Sequence, residues 1–129
     1  MKRLLFGVLL SSLLLEASSV TVPVSALYTK KYEACMQHVM NEYDSIKCSE
    51  QELQRADKAL NEAYQEAKKK IQKFRQKDLL KMQRAWIVYR DAKCGFLYHK
   101  ESGSAGLGAA SECMLDETLK RMVELKNIY

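Results

Sequence analysis

Residues 49–74 read SEQELQRADKALNEAYQEAKKKIQKF. Within them Leu53, Ala56, Leu60, Ala63, Tyr64, Ala67, Ile71 and Phe74 recur at steps of three and four. That spacing stacks side chains on one face of an α-helix and leaves the other face polar. Ser49 followed by Glu52 is a capping-box pattern, so this helix is expected to begin at Ser49. Acidic residues gather early (Glu50, Glu52, Asp57, Glu62) and basic ones late (Lys68, Lys69, Lys70, Lys73, Arg75), an order that complements the helix dipole.

Outward from this stretch, no glycine or proline occurs between Leu27 and Cys94. Strand-and-turn folds need such punctuation, so the chain reads as all-α: a small bundle of about four helices, two of them long and central. A first helix is expected over 29–43, with Tyr32, Cys35, Met36, Val39, Met40 and Tyr43 on its apolar face, and a turn over Asp44–Cys48. A single helix from 49 to 98 would run about 75 Å at 1.5 Å per residue. A tight turn is therefore expected near Arg75–Asp78, with Asp78 as cap. A third helix follows over 79–98, with Leu79, Met82, Trp86 and Tyr89 inward. Residues 101–110 hold Gly103, Gly106 and Gly108 and read as a loop. The last helix is expected over 111–127, capped by Ser111, with Met114, Leu115, Thr118, Met122 and Leu125 inward.

The N-terminus carries Lys2 and Arg3, an apolar run from Leu4 to Leu15, and small residues up to Ala26. This is the pattern of a secretory signal peptide over residues 1–26, leaving one domain over 27–129. The run is too short for a bilayer, which needs about 20 residues, and no other stretch qualifies as transmembrane. No cysteine directly follows the run, so a soluble exported product is expected, periplasmic in the first instance and secreted in the second. Removing Lys2, Arg3 and Glu16 takes the formal charge from +5 to +4.

Four cysteines, Cys35, Cys48, Cys94 and Cys113, in a short exported chain indicate two disulfides. Three pairings exist in principle. Locality favours Cys35–Cys48 and Cys94–Cys113, each contributing roughly 3 kcal/mol by loop entropy. A zinc site on Cys35 and His38 is the rival, but nothing supplies a second half-site. No cofactor is expected, and no nucleophile–base–acid set stands out, so the chain reads as a binding protein rather than an enzyme.

Three stretches carry a family resemblance. They are Leu60-Asn61 with Tyr64, then Gln83-Arg84-Ala85-Trp86-Ile87 with Tyr89-Arg90-Asp91-Ala92 and Cys94, then Cys113 with Thr118, Arg121, Glu124 and Leu125. Together they resemble the lysozyme inhibitor LprI-like domain, a family of small exported bacterial proteins. The resemblance spans Cys35 to Leu125. It implies a helical fold with paired cysteines, a cell-envelope setting, and lysozyme or another wall-active protein as partner.

From the residues themselves, Trp86 and Tyr89 read as core packing with their polar tips near the surface. Arg90 and Asn61 read as structural ties or ligand-binding groups, and Gln83, Asp91, Thr118 and Arg121 as companions in a polar layer. The glycines of 101–110 would let a backbone enter a narrow cleft. The stretch from Lys68 to Arg84, with Lys69 and Lys73 at its centre, reads as a solvated face or as a contact for anionic lipid or wall polymer. Nucleic acid is not a partner expected outside the cytoplasm.

Overall fold

The computed structural model describes residues 22–128. Most of the expected signal peptide, residues 1–21, lies outside them. Four α-helices follow one another: α1 (Lys30–Met36), α2 (Glu42–Lys70), α3 (Gln76–Leu97) and α4 (Gly103–Lys126). Short 3-10 turns occupy Val24–Leu27, Lys73–Arg75 and Lys100–Ser102. The chain is all-α with long central helices, and no helix among the described residues is long and apolar enough to cross a membrane.

The helix α4 is the hub. It packs along α2 and against α3, while α2 and α3 make at most marginal contact with each other. The α2–α4 core interleaves small and large side chains. Ala56, Ala63 and Ala67 are buried beside Leu60, and Leu115, Leu119, Met122 and Leu125 of α4 fill the same cluster. Alanines on one helix leave room for leucines on the other, which lets the two helices pack closely.

The disulfides join Cys35 to Cys48, with Cα atoms 5.8 Å apart, and Cys94 to Cys113, 5.5 Å apart. Both pairings are those that locality favours. The first folds α1 back onto α2, and the second ties the end of α3 to α4.

Several expected boundaries move. The first helix ends at Met36, not 43, and α2 begins at Glu42, seven residues before Ser49. The expected turn at Asp44–Cys48 is therefore helix. Asn41 caps α2 by accepting from the Asp44 amide at 3.0 Å, and the Asp44 carboxylate accepts from the Met40 amide at 3.2 Å. That reciprocal pair does the work assigned to Ser49 and Glu52. Tyr43 and Met40 are consequently exposed rather than part of an inner face.

The α2–α3 break also falls earlier than expected. Ile71 and Gln72 are extended, and the Gln76 side chain donates to the Lys68 carbonyl at 3.0 Å, closing the end of α2. Asp78 lies in the first turn of α3 and pairs with Arg75 at 3.5 Å instead of capping. Phe74, expected to face inward, is exposed.

The glycine-rich stretch is not a loop but the first turns of α4. Two close approaches account for it. A Cβ at Gly106 would lie 2.6 Å from Ser102 Cβ and 3.3 Å from the Leu97 carbonyl, and one at Gly108 would collide with the Glu42 carboxylate. Gly103, at φ +60°, makes the entry into the helix.

Candidate functional site

The motif residues converge on the α3–α4 seam. Five side chains of α3 face it at helical spacing: Leu79, Gln83, Trp86, Arg90 and Cys94. Two of these are polar, so hydrogen bonds and not apolar contact alone must hold the seam. Gln83 accepts from Arg121 Nε at 3.0 Å, and Arg121 Nη1 donates to Glu124 at 2.9 Å. Two turns further along α3, Arg90 Nη1 donates to the Thr118 hydroxyl at 3.1 Å, and that hydroxyl donates to the Met114 carbonyl at 2.7 Å. At the next level Lys93 donates to Glu117 at 3.0 Å.

Trp86 stands between the two guanidinium groups, with Arg90 5.0 Å and Arg121 5.8 Å from its ring. Such cation–π contacts are strongest where water is kept away, and both arginine side chains are nearly buried. Trp86 also packs against the hydrophobic core. Tyr89 does not: it is exposed, with Lys93 Nζ 5.7 Å from its ring, because the seam runs through Gln83, Trp86 and Arg90 and turns residue 89 outward. Met82, likewise expected inside, is partly exposed for the same reason.

Arg90 is shared among three partners. Besides Thr118 it holds Asp91, at 2.9 Å from Nη2, and Asp57 of α2, at 3.7 Å from Nη1. Asp57 is thereby brought close to Asp91. Burial, opposed by Arg90 and reinforced by Asp91, pushes the Asp57 carboxyl above its ordinary value.

Beside this cluster lies a groove of about 410 Å³, floored by α4 and walled by α2 and α3. Its apolar surface comes from Leu53, Leu107, Ala110 and Met114 together with Cys94 and Gly95. Glu50, Arg90 and Asp91 supply its charges, and the buried Ser111 hydroxyl, which has no protein partner among the described residues, lies on its floor. The groove exists because α2 and α3 both pack on α4 without closing on each other.

Other singled-out residues lie elsewhere. Asn61 is exposed on α2 beside Lys58 and Glu62, and has no hydrogen bond to Arg90 among the described residues. Tyr64 packs against the core. Gly106 is buried, whereas Gly103 remains exposed. Lys69 pairs with Glu66 at 2.7 Å, and Lys73 is exposed in the turn before α3. Among the described residues no group of three or more histidine, cysteine, aspartate or glutamate side chains gathers in a metal-binding arrangement.

Glu52, expected in a capping box with Ser49, has instead a buried role that the sequence reading did not give it. Glu52, wholly enclosed, accepts from the Thr29 amide at 2.7 Å, the Thr29 hydroxyl at 2.8 Å and Arg55 Nε at 2.7 Å. Next to it Tyr28 donates to Asp116 at 2.6 Å, and burial, then that carboxylate, pushes the phenol well above its ordinary range. These bonds lock the segment before α1 onto α2 and α4. The sequence signal was a lone acid at a helical core position, followed three residues later by an arginine.

Comparison with protein families matches residues 33–125 to the family described as Lysozyme inhibitor LprI. No curated protein and no solved structure matches the chain.

Proposed function

We propose a function from one premise: the chain belongs to the lysozyme inhibitor LprI family, which covers residues 33–125. On that premise the protein is an exported binding protein that docks on a wall-degrading enzyme and blocks it by occupying its surface, with no bond made or broken. The family match is the observation that carries this reading. Two disulfides fit an oxidising compartment, and the periplasm is the proposed site of action. Cleavage after Ala26 would leave Leu27 first, directly before the Tyr28 and Thr29 anchors.

The groove beside Arg90 supports a docking face of a particular kind. Glu50 and Asp91 line it, and Arg90 pairs with Asp91 and with Asp57, so carboxylates outnumber the guanidinium at the groove. A local acidic patch on a chain of positive net charge suits a cationic enzyme, whose lysine or arginine side chain would enter over Leu53 and Met114. The raised Asp57 carboxyl fits this role, since its charge is held there against a cost in stability. The test is a wall-lysis assay with the purified protein and with Asp57→Asn/Asp91→Asn. Inhibition is expected from the first and at least about tenfold weaker inhibition from the second, which corresponds to 1.4 kcal/mol of lost docking.

A second reading rests on Lys73, Lys77, Lys81 and Arg84, all exposed and without an ion-pair partner among the described residues. They offer a contact for anionic lipid or wall polymer. Binding that weakens steeply with salt and is abolished by Lys69→Glu/Lys73→Glu would support it. Binding unaffected by either would exclude it.

A further inference from the structure

The α2–α3 turn carries more positive charge than the fold uses. Residues 68–77 hold six basic side chains and no acidic one. Lys68, Lys69 and Lys70 end α2, where cations complement the helix dipole. Past the break that explanation fails. Lys77 sits in the first turn of α3, where the dipole opposes a positive charge, and Lys81 and Arg84 follow it at steps of four and three. The acids that flank the segment in sequence, Glu66 and Asp78, are engaged by Lys69 and Arg75. Lys70, Lys73, Lys77, Lys81 and Arg84 are exposed and have no ion-pair partner among the described residues.

An aromatic ring stands in the middle of this charge. Phe74 lies in the 3-10 turn Lys73–Arg75, with a cation on each side in sequence, and is 74% exposed. The turn runs straight into α3, so Phe74 shares a side with Lys77, Lys81 and Arg84. At 100° per residue that side lies about 120° or more around α3 from the seam packed on α4. Beside it Lys70, Gln72 and Arg75 line, with Ile71, an open hollow of about 260 Å³. Two cations and an amide there offer donors to an anionic group.

We propose that this turn docks on an anionic phospholipid bilayer: Phe74 enters the acyl boundary while Lys70, Lys73, Arg75 and Lys77 meet headgroup phosphates. The proposal rests on the contact reading of the basic stretch and commits it to lipid. Phe74 decides the choice. A hydrated wall polymer answers the cations but leaves the ring in water. A bilayer answers both, since its surface is charged and its hydrocarbon lies directly beneath. Each cation near such a surface strengthens binding about fivefold, and burial of the ring adds about tenfold or more.

Sedimentation of the exported, disulfide-bonded protein with sucrose-loaded vesicles tests this. Binding is expected to vesicles of phosphatidylglycerol and phosphatidylcholine in equal parts, falling steeply with salt, and not to phosphatidylcholine alone. Phe74→Ala removes an exposed ring, leaves the fold intact, and should weaken binding about tenfold. Lys73→Glu/Lys77→Glu should weaken it at least as much, although an acid in the first turn of α3 favours the helix. Phe74→Trp should keep binding, and brominated acyl chains should quench its emission well beyond that of Trp86 in the parent. Soluble polyphosphate bound without vesicle binding would overturn the proposal and leave the broader contact reading standing. So would vesicle binding that Phe74→Ala does not weaken, or self-association without vesicles that Phe74→Ala removes. No binding to either probe would remove both. None of these outcomes depends on lysozyme, so the bilayer and inhibitor readings can fail separately.

Discussion

Arg90 Nη1 donates to the Thr118 hydroxyl at 3.1 Å, and this bond joins the middle of α3 to the middle of α4. The same guanidinium holds Asp91 and Asp57 and lies over Trp86, so one side chain organises three helices. Lysine keeps the charge but has no planar fork to serve Thr118 and Asp91 together. Arg90→Lys should therefore lower stability by about 1–3 kcal/mol. Trp86 is the single tryptophan, so thermal unfolding followed by its fluorescence checks both the loss of stability and the changed ring environment.

Glu52 is the second structural anchor. Removing its carboxylate leaves the Thr29 amide and hydroxyl and Arg55 without their acceptor. Glu52→Ala should cost about 2–4 kcal/mol, since hydrogen bonds to a charged acceptor contribute about 1.5–3 kcal/mol each and are not additive. Hydrogen exchange should quicken first at Thr29 and across α1. Uniform loss of protection along the whole chain would argue against a local latch.

The Cys94–Cys113 bond closes a loop of 19 residues. Cys94→Ser with Cys113→Ser should cost roughly 3 kcal/mol. The closed segment includes the start of α4, whose glycines are poor helix formers. Limited proteolysis should then cut between 98 and 112 before it cuts elsewhere.

Those glycines also show where the sequence misled. Three glycines in six residues carry a propensity cost of about 1 kcal/mol each in a helix, so a loop was the natural reading. The folded chain shows what the missing side chains avoid: a Cβ at Gly106 would meet Ser102 and the Leu97 carbonyl, and one at Gly108 the Glu42 carboxylate, which only the fold brings near. The disulfides were legible because each pair is near in sequence. The inner face of α2 was legible because its partners are apolar. On α3 the motif gave the polar layer, but the apolar spacing put Met82 and Tyr89 inward where the structure has Gln83 and Arg90, because hydrophobic periodicity cannot register a polar interface. The motif named the right residues for the Arg90 cluster, yet Asp57 and the groove depend on how three helices sit together.

Two carboxylates should respond to acid in opposite ways. For Glu117, burial acts to raise the carboxyl, but hydrogen bonds from Lys120 and Lys93 outweigh it and hold the group below 4.5. Its ionised form stabilises the fold above that value, and the contribution is lost as pH falls through the lower folded value. Glu117→Gln should melt lower than the parent at pH 7, with the gap closing below 4.5. Asp57 is raised above 3.8, so its ionised form is disfavoured in the folded state and costs stability at neutral pH. Asp57→Asn should melt slightly higher at pH 7 and equal the parent below 3.8. Melting curves across pH decide both.

The claim that this LprI-family chain is an inhibitor is tested most directly by titrating it into wall-lysis assays with several lysozyme types. The account predicts saturable inhibition at micromolar protein of at least one cationic lysozyme, weakened by Asp57→Asn/Asp91→Asn and unchanged by Lys69→Glu/Lys73→Glu. Undiminished lysis by every type at the same protein concentration would contradict it.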